Sequence, residues 1–216
     1  ASRTPTMGAV KPGAAMIEAA QLSVDYGVGE VLSDVDLSIA DGDLVGIVGP
    51  SGSGKSTLAF DLERRLFDSG QQGYAMDGDN LRYGLNSDLG FSPSDRSENI
   101  RRVGEVAALY ADAGLIAITA FISPYRADRQ AARRAAGERF HEVFLSASLD
   151  VCEGRDPKGH YEKARAGKIP DFTGVSAPYE VPENAELVID TGVMGVADCL
   201  DILVDYVDTA FRLDGG

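Results

Sequence analysis

Eight residues, Gly49-Pro50-Ser51-Gly52-Ser53-Gly54-Lys55-Ser56, carry the most explicit chemistry in the chain. They fit the phosphate-binding pattern of a glycine, four residues, then Gly-Lys-Ser. Glycines let the backbone curl until successive N–H groups converge on an anion. A helix that starts there adds its unpaired amides and its dipole. Lys55 would reach the β- and γ-phosphates, and the Ser56 hydroxyl would hold Mg²⁺, a hard cation that prefers oxygen. The expected ATP cradle is therefore Gly49, Ser51, Gly52, Ser53, Gly54, Lys55, Ser56 and Thr57. Downstream, Asp77-Gly78-Asp79-Asn80 offers carboxylates that could orient an attacking hydroxyl or accept its proton. The same four residues also suit a plain polar turn. Arg82, Arg96, Arg101 and Arg102 lie close together in an acidic chain. Arginine suits bidentate contact with phosphate or sulfate, while Arg101 and Arg102 also fit a solvated helix face.

The elements that must hold these residues follow from apolar patterning. Residues 44–48 form a buried-looking strand that enters the loop, and a helix over about 55–69 leaves it. Further strands are expected at 73–76, 115–122, 140–145 and 186–190, with helices at 98–113, 125–136, 148–154, 160–166 and 195–210. The run 115–122 is continuously apolar, as in a strand buried on both faces of a parallel sheet. Strands alternating with helices predict an α/β three-layer sandwich with a five-stranded parallel sheet. Its ligands belong at the carboxyl ends of the strands, where 49–56, 77–80 and 123–126 all fall.

The chain has 216 residues, enough for one α/β domain with a small appendage. Its net charge of −14 argues against general affinity for nucleic acid or an anionic membrane, so any anionic substrate needs a local basic cluster. No apolar run is long enough to span a bilayer, and the first twenty residues lack a secretory core; the cytoplasm is expected. Cys152 and Cys199 lack metal-ligand spacing and are expected to be reduced and structural. His141 is expected to be packed, and no zinc site is expected.

Several long strings together resemble adenylylsulfate (APS) kinase over about residues 49–210. They are Asp77-Gly78-Asp79-Asn80-Leu81-Arg82, Asp88-Leu89-Gly90-Phe91-Ser92, Asp95-Arg96-Ser97-Glu98-Asn99-Ile100-Arg101-Arg102 and Ala120-Phe121-Ile122-Ser123-Pro124-Tyr125-Arg126. Cys152-Glu153-Gly154-Arg155-Asp156-Pro157-Lys158-Gly159, Asp171-Phe172-Thr173-Gly174 and Pro178-Tyr179-Glu180 extend the match. The resemblance implies transfer of the γ-phosphate of ATP to the 3′-hydroxyl of adenosine 5′-phosphosulfate. It implies that Asp77 engages that hydroxyl with Asp79 in support, and that Arg82, Arg96 and Asn99 hold the substrate. By the same resemblance Phe91 and Phe172 sandwich its adenine, Ile122 and Lys158 lie near it, and Arg155 stacks on the adenine of ATP. Residues 158–174 would form a lid. Ser123 matches a serine sometimes described as phosphorylated, although direct in-line transfer needs no covalent intermediate. The family commonly forms homodimers, so one is expected.

Residues 16–58 instead resemble the start of an ABC-type ATPase, with Tyr26 as its adenine-stacking aromatic. The chain then divides into a flexible tail (1–15), an ABC-like antiparallel β segment (16–42) and a P-loop kinase domain (43–216), a fusion of natural or engineered origin. No Leu-Ser-Gly-Gly-Gln string follows the loop. Two other readings stay open: an ABC-type nucleotide-binding module, and a protein that binds ATP without kinase activity.

Overall fold

The computed structural model describes residues 17–25, 30–39, 42–156 and 158–211. Two compact units divide the chain, residues 42–212 and residues 1–41 with 213–216. In the smaller unit β1 (Ile17–Asp25) and β2 (Glu30–Ile39) pair antiparallel, Ile17 opposite Ile39 and Asp25 opposite Glu30, with irregular register between. The tail expected at 1–15 and Tyr26 lie outside the described residues.

The larger unit is built on a five-stranded parallel sheet in the order β4-β5-β3-β6-β7. Its strands are β3 (Leu44–Val48), β4 (Gly73–Asp77), β5 (Ile116–Phe121), β6 (Phe140–Ser146) and β7 (Leu187–Asp190). All five residues of β3 and all six of β5 are buried, because helices cover both faces of the sheet. On one face, α1 (Lys55–Asp68) and α7 (Val196–Ala210) pack Leu58, Leu62, Leu66, Leu203 and Val207 against Val45, Ile47 and Ile118. The spacing of those leucines on α1 is the helical period read from the sequence. Each such side chain, fully buried, contributes about 1.5–3 kcal/mol. On the other face, α3 (Pro93–Asp112) sets Ile100, Val103 and Ala107 against Leu44, Ala117 and Phe140. Gly104 lets α3 close on α4 (Arg126–Ala136), where an added Cβ would lie 3.4 Å from the Ala132 backbone.

Two expectations need correction. Residues 77–80 are not only a turn: α2 (Gly78–Arg82) starts there, with the Asp77 side chain accepting from the Asn80 amide at 3.0 Å as its cap. The helix expected at 98–113 begins five residues earlier. Ser92 caps it by accepting from the Asp95 amide at 3.2 Å, and Pro93 takes the first turn, where a missing N–H costs nothing. The remaining elements, including α5 (Leu149–Arg155) and α6 (His160–Arg165), match to within two residues.

Candidate active site

A cleft of about 1060 Å³ opens at the carboxyl ends of the parallel strands. It gathers every residue that the resemblance to APS kinase and the phosphate-loop pattern put in the site except Gly49. That glycine has a packing role, since a Cβ there would meet the Leu145 carbonyl oxygen at 2.7 Å and Ser53 Oγ at 2.8 Å.

The loop after β3 wraps the start of α1. Gly52 has φ +80°, and an added Cβ would sit 2.8 Å from the Cys152 carbonyl oxygen. The bare backbone of the loop therefore rests directly on α5. Lys55 is buried and donates to the Pro50 carbonyl at 2.6 Å. Burial pulls its ammonium down to about 8, an effect opposed by Cys152 and reinforced by the Lys158 charge. Ser56 and Thr57, in the first turn of α1, are exposed on the cleft. Among the described residues no group of three or more His, Cys, Asp or Glu could hold a metal.

Across the cleft Asp77 is buried at the end of β4, and Asp79 is exposed and ion-paired with Lys158. Arg82 donates to the Leu89 and Gly90 carbonyls at 3.1 and 3.0 Å, and its guanidinium lies 4.3 Å from the centre of the Phe91 ring. Burial, then the Arg96 cation, lowers the proton affinity of Arg82. Two cations facing one space, neither in an ion pair among the described residues although Asp95 and Asp79 partly offset the charge on Arg82, make a local basic cluster in a chain of net charge −14. Arg96 donates to the Phe91 carbonyl at 2.9 Å, to Thr173 Oγ1 and to the Asp171 carbonyl, so it ties the start of α3 to the 171–173 turn. Phe91 is 62% exposed, while Phe172 is buried edge-on to Tyr161 at 5.0 Å. Asn99 is buried on α3 and accepts from Asn86 Nδ2 at 3.0 Å. Arg155 donates to the Thr191 carbonyl at 2.6 Å, which fixes its guanidinium on the cleft wall.

Ser123, after β5, has φ +41°, a strained value for a residue with a side chain. Its carbonyl accepts from the buried Arg129 at 2.6 Å. Arg129 also donates to the Glu180 carbonyl at 2.7 Å and lies 2.7 Å from Glu142 Oε1. Arg101 and Arg102 take no part in the cleft. They pair with Glu98, and Arg102 also pairs with Asp88, as a solvated helix face does. His141 is packed, as expected, with Nδ1 2.7 Å from the Tyr206 hydroxyl. Cys152 and Cys199 are free and buried.

Sequence reasoning missed Asn86, Arg129, Asp156 and Tyr161. Asp156 accepts from the amides of His160 and Tyr161 at 2.8 and 2.9 Å and so starts α6. The buried Tyr161 donates to the Ser51 carbonyl at 2.9 Å, joining α6 to the phosphate loop. Asp156, three residues upstream of a glycine and a short helix, was the one available signal, as a polar residue entering a helix.

Comparison with known proteins gives a consistent family. The model of the adenylylsulphate kinase family matches residues 41–190. An adenylyl-sulfate kinase from Prochlorococcus marinus is 56% identical over 162 residues, 74% of this chain and 81% of the relative. The solved structure of the Mycobacterium tuberculosis APS kinase CysC in complex with AMPPNP and APS is 45% identical with a TM-score of 0.75, covering 78% of this chain and 98% of that one. A hexameric APS kinase from Thiobacillus denitrificans is 30% identical with a TM-score of 0.58, covering 79% and 30%.

Proposed function

The chain belongs to the adenylylsulphate kinase family, and from this we propose that it transfers the γ-phosphate of ATP to the 3′-hydroxyl of adenosine 5′-phosphosulfate. The product is 3′-phosphoadenosine 5′-phosphosulfate, an activated form of sulfate. The observation that carries this reading is a single cleft lined by a phosphate loop, a buried aspartate, the neighbouring Arg82 and Arg96, and the rings of Phe91 and Phe172.

The residues divide the work. Lys55, the loop amides and the start of α1 hold the triphosphate. Asp77, at the end of β4, orients the 3′-hydroxyl and takes its proton as the bond to phosphorus forms. Asp79, paired with Lys158, supports it and brings Lys158 towards the substrate. Arg82, Arg96 and Asn99 bind the phosphosulfate nucleotide, whose adenine lies between Phe91 and Phe172 beside Ile122. Arg155 flanks the adenine of ATP. Ser123 shapes the strand end, with no covalent role. A cation here would rest on one hydroxyl and the triphosphate oxygens, which suits Mg²⁺ and the exposed position of Ser56. When bound, Mg²⁺ neutralises charge on the β- and γ-oxygens. Residues 158–174 act as a lid that excludes water.

We assign the protein to the cytoplasm as a homodimer; light scattering distinguishes that from the hexamer of the Thiobacillus relative. The net charge of −14 speaks against nucleic-acid and membrane partners, and among the described residues no helix is long and apolar enough to cross a membrane. The family match starts at residue 41, so a β segment over 16–42 and a kinase domain over 43–216 remain the proposed division. The ABC-like reading of 16–58 has the antiparallel β1–β2 pair in its favour. ATP consumption with and without APS, with the product identified, tests both: the kinase requires APS-dependent turnover with the 3′-phosphorylated product, whereas steady APS-independent hydrolysis would favour the ABC-like module.

A further inference from the structure

Asn86 lies outside the cleft, in the loop between α2 and α3, and is wholly buried. Its backbone is satisfied within that loop: its N–H donates to the Leu81 carbonyl at 2.9 Å, and its carbonyl accepts from Leu89 at 3.1 Å. The side chain is therefore free to serve another element. It donates from Nδ2 to Asn99 Oδ1 at 3.0 Å, while its own Oδ1 is buried without a partner. An orphaned buried carbonyl lowers stability, so packing alone does not account for an amide at this position. The effect on Asn99 is specific. With its oxygen occupied, the Asn99 amide has only its N–H groups left to offer, and among the described residues they have no acceptor although Asn99 lines the cleft.

The geometry points to Asn86 as a positioning residue that locks the Asn99 amide with its donors, rather than its oxygen, towards the anionic substrate. This rests on the proposed role of Asn99 in holding adenosine 5′-phosphosulfate. Arg82 and Arg102 support the arrangement by fixing the ends of the same loop, through the Leu89 and Gly90 carbonyls and through the Leu85 carbonyl. Asn86 acts from behind, setting which face of one amide the ligand meets.

The test is a cycle of Asn86→Ala, Asn99→Ala and the double variant, reading KM for APS, KM for ATP and kcat. Asn86→Ala should raise KM for APS about tenfold, the loss of one oriented hydrogen bond to a charged group, with KM for ATP unchanged. In the Asn99→Ala background the second substitution should add nothing, because Asn86 acts only through Asn99. Asn86→Asp, nearly isosteric, provides a second variant. Its carboxylate accepts from Asn99 and turns the Asn99 oxygen into the cleft, so KM for APS should rise further than in Asn86→Ala. A normal KM for APS in Asn86→Ala while Asn99→Ala is impaired would overturn the positioning role and leave the substrate assignment standing. So would an effect of Asn86→Ala that persists undiminished without Asn99. An unimpaired Asn99→Ala would overturn the role of Asn99 itself and, with it, that of Asn86.

Discussion

At the scale of single residues, two groups make the sharpest expectations. Asp77 has two duties, because the carboxylate that faces the cleft also caps α2 through the Asn80 amide. Asp77→Asn keeps an oxygen for the cap but cannot take a proton. It should fold normally, bind ATP and lose transfer by about 10²–10⁴-fold in kcat; wild-type turnover would remove Asp77 from the chemistry. Lys55 titrates in an unusual range. Its folded value of about 8 lies below 10.5, so between those pH values the unfolded chain holds a proton that the folded chain has shed before ATP binds. This group's contribution to the stability of the ligand-free protein therefore rises with pH across that window. Phosphate reverses the balance by recharging the ammonium. ATP binding should take up a proton at about pH 9, and affinity should fall as pH rises through about 8. Calorimetry in two buffers of different ionisation enthalpy reads this directly, and Lys55→Arg, which stays charged, should show no uptake.

At the scale of elements, what was legible in the sequence was whatever repeats locally. The leucine spacing of α1, the apolar run of β5 and the glycine spacing of the phosphate loop each announce themselves within a few residues. The start of α3 was also written there, in Ser92 and Pro93, but the polar residues that follow disguised it as loop. The links between elements left no such trace. Asn86 and Asn99 are 13 residues apart and Tyr161 and Ser51 are 110 apart, and a side chain carries no mark of a partner that only folding brings near. Arg129 shows what these links are worth. From α4 it reaches β6, the strained Ser123 and the Glu180 carbonyl, and it is almost fully buried. Arg129→Met leaves the buried Glu142 only its longer, 3.8 Å contact with Arg133 and should lower the unfolding free energy by about 3 kcal/mol in urea titration. A loss below about 1 kcal/mol would mean that water replaces the guanidinium.

At the scale of the molecule, the sheet and both of its cores lie within 42–212, and so does every residue of the cleft. Gly42 is already locked into that body. Its N–H donates to the Ala111 carbonyl at 2.8 Å, and an added Cβ would meet the Leu115 carbonyl oxygen at 2.0 Å. A chain beginning at Gly42 should therefore unfold in one transition and keep APS-dependent turnover within about twofold of the full chain. A large loss on truncation would assign residues 1–41 a part in catalysis. The fold of residues 42–212 was readable from the alternation of strand and helix.

The bare backbone of Gly52 against the Cys152 carbonyl has a consequence for inheritance. The phosphate cradle and α5 meet without a side chain between them, so neither surface can drift alone. A lineage that acquired any larger residue at 52 would have to withdraw the backbone at 152, and Arg155 would move with it. Among descendants of this fold, a change at position 52 should therefore be accompanied by a rebuilt 152–155 segment.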